Sequence, residues 1–238
     1  APVATVGTLI DAAVIAALTS AGVYSVSIFR RPRIAVISSG EELVSSPAQL
    51  APGQLPDSNG PMLAALAGAD AHVHVGDAPA DLASALDELA SSHDLIITSG
   101  GVSAGAYEVV KEALDAGPVE FVKVAMQPGM PQGCGHHLDP AGRRVPIITL
   151  PGNPVSSLVS FEVFIRPPLR AAMGLPAHRP GFSARLGSDV RSPEGKRQFL
   201  RGVVVHDASD VPPVVEPIGP PGSHHLRYLA GANALIDI

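Results

Sequence analysis

The chain has 238 residues, 46% of them apolar and 16% charged, enough to bury one large core or one core with a small companion. That composition excludes a disordered chain. The 16 Lys+Arg against 22 Asp+Glu give a net charge of −6, which argues against a nucleic-acid footprint, and a lone Cys134 excludes an internal disulfide and points to a reducing compartment.

In chain order, Val6 to Phe29 is rich in Ala, Val and Ile, yet it carries Asp11 and Gly22 and has no basic residue ahead of it. A membrane span needs about 20 uninterrupted apolar residues. The segment is therefore expected to form a core-packed helix, Leu9–Ala21, and a strand, Ser25–Phe29. The absence of an initiator methionine suggests a piece of something longer. Arg30, Arg31 and Arg33 read as a solvated strand entrance.

From Arg33 to Gly174, strand and helix alternate. Strands are expected at Arg33–Ser38, His72–Val75, Asp94–Thr98, Val119–Ala125 and Val145–Leu150. Helices fall at Asn59–Ala67, Ala80–Ser91, Ala106–Leu114 and Val155–Met173. A hairpin from Gln132–Leu138 turns through Asp139-Pro-Ala-Gly142. Short Val/Ile runs between helices predict a doubly wound, three-layer α/β/α domain. Beyond Leu175-Pro-Ala-His-Arg-Pro180 come short β-like runs, Phe182–Leu186, Gln198–Val205, Val214–Glu216 and Ala234–Ile238. They predict a small all-β barrel or sandwich, marginal alone and leaning on its neighbour.

Ligands of open parallel sheets bind outside the carboxyl ends of the strands. Those positions hold Ser38-Ser-Gly-Glu-Glu-Leu43, Pro56-Asp-Ser-Asn59, Gly76-Asp-Ala-Pro79, Thr98-Ser-Gly-Gly-Val-Ser-Ala-Gly105 with Glu108, and Leu150-Pro-Gly-Asn-Pro154. Lys123 and Met126-Gln-Pro-Gly-Met-Pro131 lie beyond the fourth strand. Glycine loops ahead of helices make anion cradles, and Glu42, Asp57, Asp77 and Glu108 add carboxylates. Such a rim suits a phosphorylated ligand with a divalent metal. Plainer readings stand beside these. Asp57 and Asp77 occupy capping or turn positions, Glu42 and Glu108 read as solvated, and Pro151–Pro154 as a stiff turn. His136-His137 and His224-His225 point to opposite sides in extended chain and read as loop or strand-edge residues. His72 and His74 share one strand face, expected to pack under a helix or at an edge. Cys134 reads as a small structural side chain.

These motifs, in this order, closely resemble the molybdenum insertion enzymes of molybdenum cofactor synthesis, the MoeA type related to the gephyrin E domain. The resemblance implies a molybdopterin-binding α/β domain of the MoaB/MogA kind over residues 1–175 and a domain IV-like β-barrel over 176–238. It implies binding of adenylylated molybdopterin, release of AMP with a divalent metal, commonly Mg²⁺, and placement of molybdate on the dithiolene. Carried over by position, Asp77, Glu108 and Lys123 would be catalytic, and Glu42 and Asp77 metal ligands. Ser39, Gly40, Asp57, Asn59, Gly100, Gly101, Val102, Ser103, Gly105, Gln127, Pro151, Gly152, Asn153 and Ser156 would hold pterin, phosphate or molybdate. A cytoplasmic homodimer is implied, with the molybdopterin adenylyltransferase as a further partner and neither membrane nor nucleic acid. The chain departs from the family pattern where Gln127-Pro-Gly-Met130-Pro replaces Lys-Pro-Gly-Lys-Pro, where Glu108 replaces Asp, and where two N-terminal domains are missing. Two alternatives remain: an adenylyltransferase, which expects a Gly-Gly-Thr-Gly loop and no trailing β module, and a non-catalytic molybdopterin-binding or scaffold module.

Overall fold

Apolar runs too short for helices build the central sheet. The computed structural model describes residues 2–45, 50–100, 117–205 and 212–238, with Val110 and Leu114. In chain order it has α1 (Ala12–Ser20), β1 (Ile34–Ser39), β2 (Leu43–Val44), β3 (Leu55–Pro56), α2 (Asn59–Ala67), β4 (Ala71–Val75), α3 (Pro79–Ala90) and β5 (Leu95–Ser99). Then come β6 (Glu120–Lys123), β7 (Met126–Gln127), β8 (Pro131–Leu138), β9 (Arg144–Leu150) and α4 (Pro154–Ser160). A π-helical turn, Phe161–Ile165, joins α4 to α5 (Arg166–Ala172). The rest is β10 (Arg185–Leu186), β11 (Arg197–Val205), β12 (Val214–Pro217), α6 (Leu226–Gly231) and β13 (Ala234–Asp237).

The main sheet has the order β4-β1-β5-β9-β8-β6. Its first four strands are parallel; β8 runs against them, antiparallel to both β9 and β6, so that β6 points the same way as the first four. Alternate residues of β1 serve opposite layers. Ala35 and Ile37 pack with α3, Val110 and Leu114, while Ile34 and Val36 pack with α2, the π turn and α5. Helix α3 buries Leu82, Leu86 and Leu89 as one stripe. The three layers and the hairpin at Asp139–Gly142 are those expected from the sequence. Asp139 closes that hairpin by accepting from the amides of Ala141 at 2.9 Å and Arg143 at 2.8 Å, which holds its carboxyl below the usual range.

The second sheet, β10-β12-β11-β13, also takes in β7, which pairs with β11. The expected strand Val119–Ala125 is thus divided. β6 stops at Lys123 in the first sheet, and two residues later the chain joins the second. Met126, Val155, Val159 and Phe199 form a core between the two sheets, so the C-terminal module leans on its neighbour.

Two expectations need correction. Helix α1 is shorter than Leu9–Ala21 and buries no residue, so it is not core-packed. No strand forms at Ser25–Phe29; Ile28 and Phe29 are exposed. In both cases apolar character signals a preference for burial, and no described element offers the partner surface. Cys134, read as a small structural side chain, lies exposed on β8. The expected helix Ala106–Leu114 lies outside the described residues apart from Val110 and Leu114.

Candidate functional site

Parallel pairing of Ser38 with Ser99, and of Ser99 with Leu150, brings the ends of β1, β5 and β9 to one edge. Strand β6 is antiparallel to β8, and β8 to β9, so Lys123 emerges at that same edge. Here three loops meet backbone to backbone. Gly100 has φ 99°, and a Cβ on it would run into the Ser39 carbonyl. A Cβ on Gly152 would lie 3.5 Å from the Gly100 Cα. No larger residue fits at Gly100, while Gly152 keeps the neighbouring loop at ordinary contact distance.

Buried polar side chains pin the cradle. Asn59, at the start of α2, donates through Nδ2 to Ser99 Oγ at 2.9 Å and to the Gly152 carbonyl at 2.6 Å. Ser157 Oγ donates to the Pro151 carbonyl and lies 3.3 Å from Ser99 Oγ. The Ser39 hydroxyl and Asn59 Oδ1 are buried with no partner among the described residues. A buried polar atom left unpaired is costly, and each of these two retains hydrogen-bonding capacity at the cradle. Asn153 precedes α4, is exposed and makes no capping bond with its side chain. Ser156 is buried in the first turn of α4.

Asp57 is 8% exposed and fully committed inside the protein. It accepts from Ser38 Oγ at 2.5 Å and from the Gly60 amide at 2.9 Å, with His72 Nε2 at 3.1 Å. Both its oxygens are thus engaged within the protein, in the way the capping reading expects.

Glu42 and Asp77 follow neighbouring strands, tied by the Gly40 amide donating to the Val75 carbonyl at 3.3 Å. The Glu42 carboxylate folds back over Gly40, and His74 Nε2 lies 2.9 Å from the Gly40 carbonyl. Among the described residues no group of three or more His, Cys, Asp or Glu gathers as a metal site. Mg²⁺, however, commonly takes one or two carboxylates and completes its shell with water and substrate phosphate. Glu42 and Asp77, one carboxylate after each of two neighbouring strands, are of the donor type that such a shell uses.

Lys123 is exposed at the other end of the edge. Asp77 follows β4 and Lys123 ends β6, the two outermost strands, so five strand spacings, about 24 Å, separate them. The topology sets these two expected catalytic residues at opposite ends of a long rim. Gln127 is half-buried and precedes Pro128 through a cis peptide bond. Gln132 anchors that loop, donating to the Gly129 carbonyl at 2.7 Å and to Ser160 Oγ at 2.6 Å. Gly101, Val102, Ser103, Gly105 and Glu108 lie outside the described residues.

Two further supports came without a sequence signal. The Val155 amide donates to the Ser223 carbonyl at 3.0 Å, so the C-terminal module supplies an acceptor for the first turn of α4. Arg201, buried in β11, holds that module's loop through the carbonyls of Pro220 and Gly222; burial lowers its pKa. Ser99 lies inside a motif already singled out and Ser157 in the helix just beyond another, but nothing in their spacing marks them as braces.

Residues 35–171 match a family described as a probable molybdopterin binding domain, and residues 183–238 match the MoeA C-terminal region (domain IV). A layered α/β domain with a glycine cradle at its carboxyl edge and this trailing β module defines a molybdopterin-handling class of protein. The chain belongs to the MoeA family. It is 53% identical to molybdopterin molybdenumtransferase 2 of Mycobacterium tuberculosis, over 98% of this chain and 58% of that protein. It is 32% identical to the molybdopterin molybdenumtransferase of Bacillus subtilis, over 98% of this chain and 54% of that protein. The solved molybdopterin biosynthesis MoeA protein from Pyrococcus horikoshii superposes with a TM-score of 0.77 at 26% identity, covering 99% of this chain and 57% of that one. The chain thus spans a little over half the length of these relatives. No helix among the described residues is long and apolar enough to cross a membrane.

Proposed function

We propose that this segment is the ligand-holding half of a molybdopterin molybdenumtransferase, which releases AMP from adenylylated molybdopterin and sets molybdate on the dithiolene sulfurs. The observation that supports it is the Ser39–Gly100–Gly152 cradle with its unpaired Ser39 hydroxyl and Asn59 Oδ1. In this reading residues 1–175 carry the pocket and 176–238 brace it. Ser39, Gly40, Asn59, Gly100, Pro151, Gly152, Asn153 and Ser156 shape or line the cradle, with Gly101, Val102, Ser103 and Gly105 completing its glycine loop. Glu42 and Asp77 hold Mg²⁺, which when bound draws charge from phosphate oxygens. Glu108 adds a carboxylate.

The length of the rim changes the role of Lys123. At about 24 Å from Asp77 it neutralises an anionic group at the far end of an extended ligand rather than the bond beside the metal. The Gln127 loop lies at that end, so Gln127 in place of lysine leaves Lys123 to balance charge with fewer helpers. The match of residues 183–238 to domain IV favours this reading over the adenylyltransferase. A cytoplasmic homodimer that receives its ligand from the adenylyltransferase completes the proposal.

The full-length protein given adenylylated molybdopterin, Mg²⁺ and molybdate is expected to release AMP. Asp77→Asn should lower turnover at least tenfold while pterin binding changes less than threefold, a split that isolates a metal role. Tight binding by the full-length wild type with no AMP released would instead establish the non-catalytic module.

A further inference from the structure

Asp57 is a buried carboxylate without an arginine or lysine at ion-pair distance among the described residues; its ionisable neighbour is His72. The hydrogen-bond geometry fixes how that histidine is used. Ser38 has one hydroxyl proton and gives it to Asp57 Oδ2 at 2.5 Å. His72 Nε2 lies 3.0 Å from the same Ser38 Oγ and 3.1 Å from Asp57 Oδ2, so it faces only acceptors and must carry a proton there. Asp57 Oδ1 meanwhile accepts the Gly60 amide at 2.9 Å, and a Cβ on Gly60 would collide with the His72 ring. The Nε2–Cε1 edge of the imidazole therefore abuts the first turn of α2. Asn59, in that same turn, reaches across to Ser99 and the Gly152 carbonyl.

We propose that His72 is a positioning residue: through Asp57 it fixes the first turn of α2, so that Asn59 holds the Pro151–Asn153 loop in the shape of the ligand cradle. The role rests on reading that cradle as the ligand site, but the coupling itself is a property of the ligand-free protein. His72 sits on the edge strand β4, three strand positions from β9 and the loop it controls. Loss of its donor leaves Asp57 under-bonded in a buried place, a penalty relieved by letting the turn move.

The test compares His72→Phe, which keeps a ring and removes the donor, with His72→Gln, which keeps a donor and removes the ring. Hydrogen exchange is followed at the Val155 and Ser157 amides, which bond to the carbonyls of Ser223 and Asn153 and lie far from His72 in sequence. His72→Phe is expected to speed exchange at both about tenfold, and His72→Gln to restore most of the protection. Asn59→Ala should speed the same amides, and adding His72→Phe to it should add little, because both act along one path. Unchanged exchange in His72→Phe, equal effects of Phe and Gln, or full additivity with Asn59→Ala would overturn the proposal. Should His72→Phe fail to fold, Asp57→Asn keeps the capping oxygen and must free the same amides; protection as in the wild type would overturn it equally. In the full-length protein His72→Phe should also slow AMP release, with Gln restoring it. A wild type that releases no AMP yet shows the exchange coupling strikes only the proposed reaction.

Discussion

Gly100 carries the sharpest residue-level constraint. Its φ of 99° is strained for any side chain, and its missing Cβ is what lets the Ser39 carbonyl approach. Gly142, at φ 80° in the β8–β9 hairpin, meets nothing within 4 Å and isolates the backbone cost alone. Gly142→Ala should lower the melting temperature by a few degrees, roughly 1–2 kcal/mol, and Gly100→Ala should lower it further, because its Cβ also runs into the Ser39 carbonyl. Only Gly100→Ala should also abolish pterin binding, measured by titration calorimetry. A second contrast comes from the opposite edge of the sheet. Asp94 accepts from Arg30 at 2.8 Å and from the Arg33 amide at 2.7 Å, and the bond from Arg30 is the main cause of its lowered pKa. A carboxyl whose pKa falls on folding stabilises above its unfolded value, about 3.9, and loses that contribution as pH drops through the lower folded value. Asp94→Asn should therefore melt a few degrees below wild type at pH 7, with the gap narrowing as pH falls below about 3.9, and with AMP release unchanged at neutral pH. Residue types in the sequence marked both edges as polar. They could not show that Asp57 spends itself on a cap while Ser39 and Asn59 keep a free atom, because that depends on which strands become neighbours.

Among the elements, what was legible follows from local chemistry. Asn59–Ala67 is bounded as expected, with Asp57 and Ser58 ahead of it and Gly68 closing it in the left-handed region at φ 61°. The Val/Ile runs of β1, β5 and β9 have both faces covered and no other place to go. What escaped notice depends on non-local partners. The apolar run after Val119 reads as one strand, yet β7 is captured by β11, some seventy residues later in the chain. The long helix after Asn153 contains a π turn at Phe161–Ile165, where Phe161 and Ile165 both face the core. That turn also carries Glu162, which pairs with Arg179 at 2.6 Å and ties the segment between the two sheets back to the helix. Bonds of this kind, between residues far apart in sequence, leave no periodic trace. Helix α1 shows the reverse error, for its apolar letters promise burial that no described surface provides.

On the scale of the whole molecule, the two sheets share one cooperative core rather than merely touching. Met126 and Phe199 come from the second sheet, Val155 and Val159 from the helix that begins at the cradle. The Val155–Ser223 bond runs across the same junction. A module of some sixty residues buries too little alone, so its stability is expected to come from this contact. Phe199→Ala removes the largest side chain of that core, at a cost of about 3–4 kcal/mol. Because Val155 and Val159 lose their partner together, the loss should destabilise both halves and loosen the Pro151–Asn153 loop above them. Scanning calorimetry should show one transition in the wild type and one in Phe199→Ala, lower by about 6–16 °C. Pterin binding should weaken even where the variant remains folded, because the brace on α4 is gone. If the variant instead melts in two steps, with the first sheet unchanged and pterin affinity kept, the C-terminal module is an appendage and the cradle stands without it.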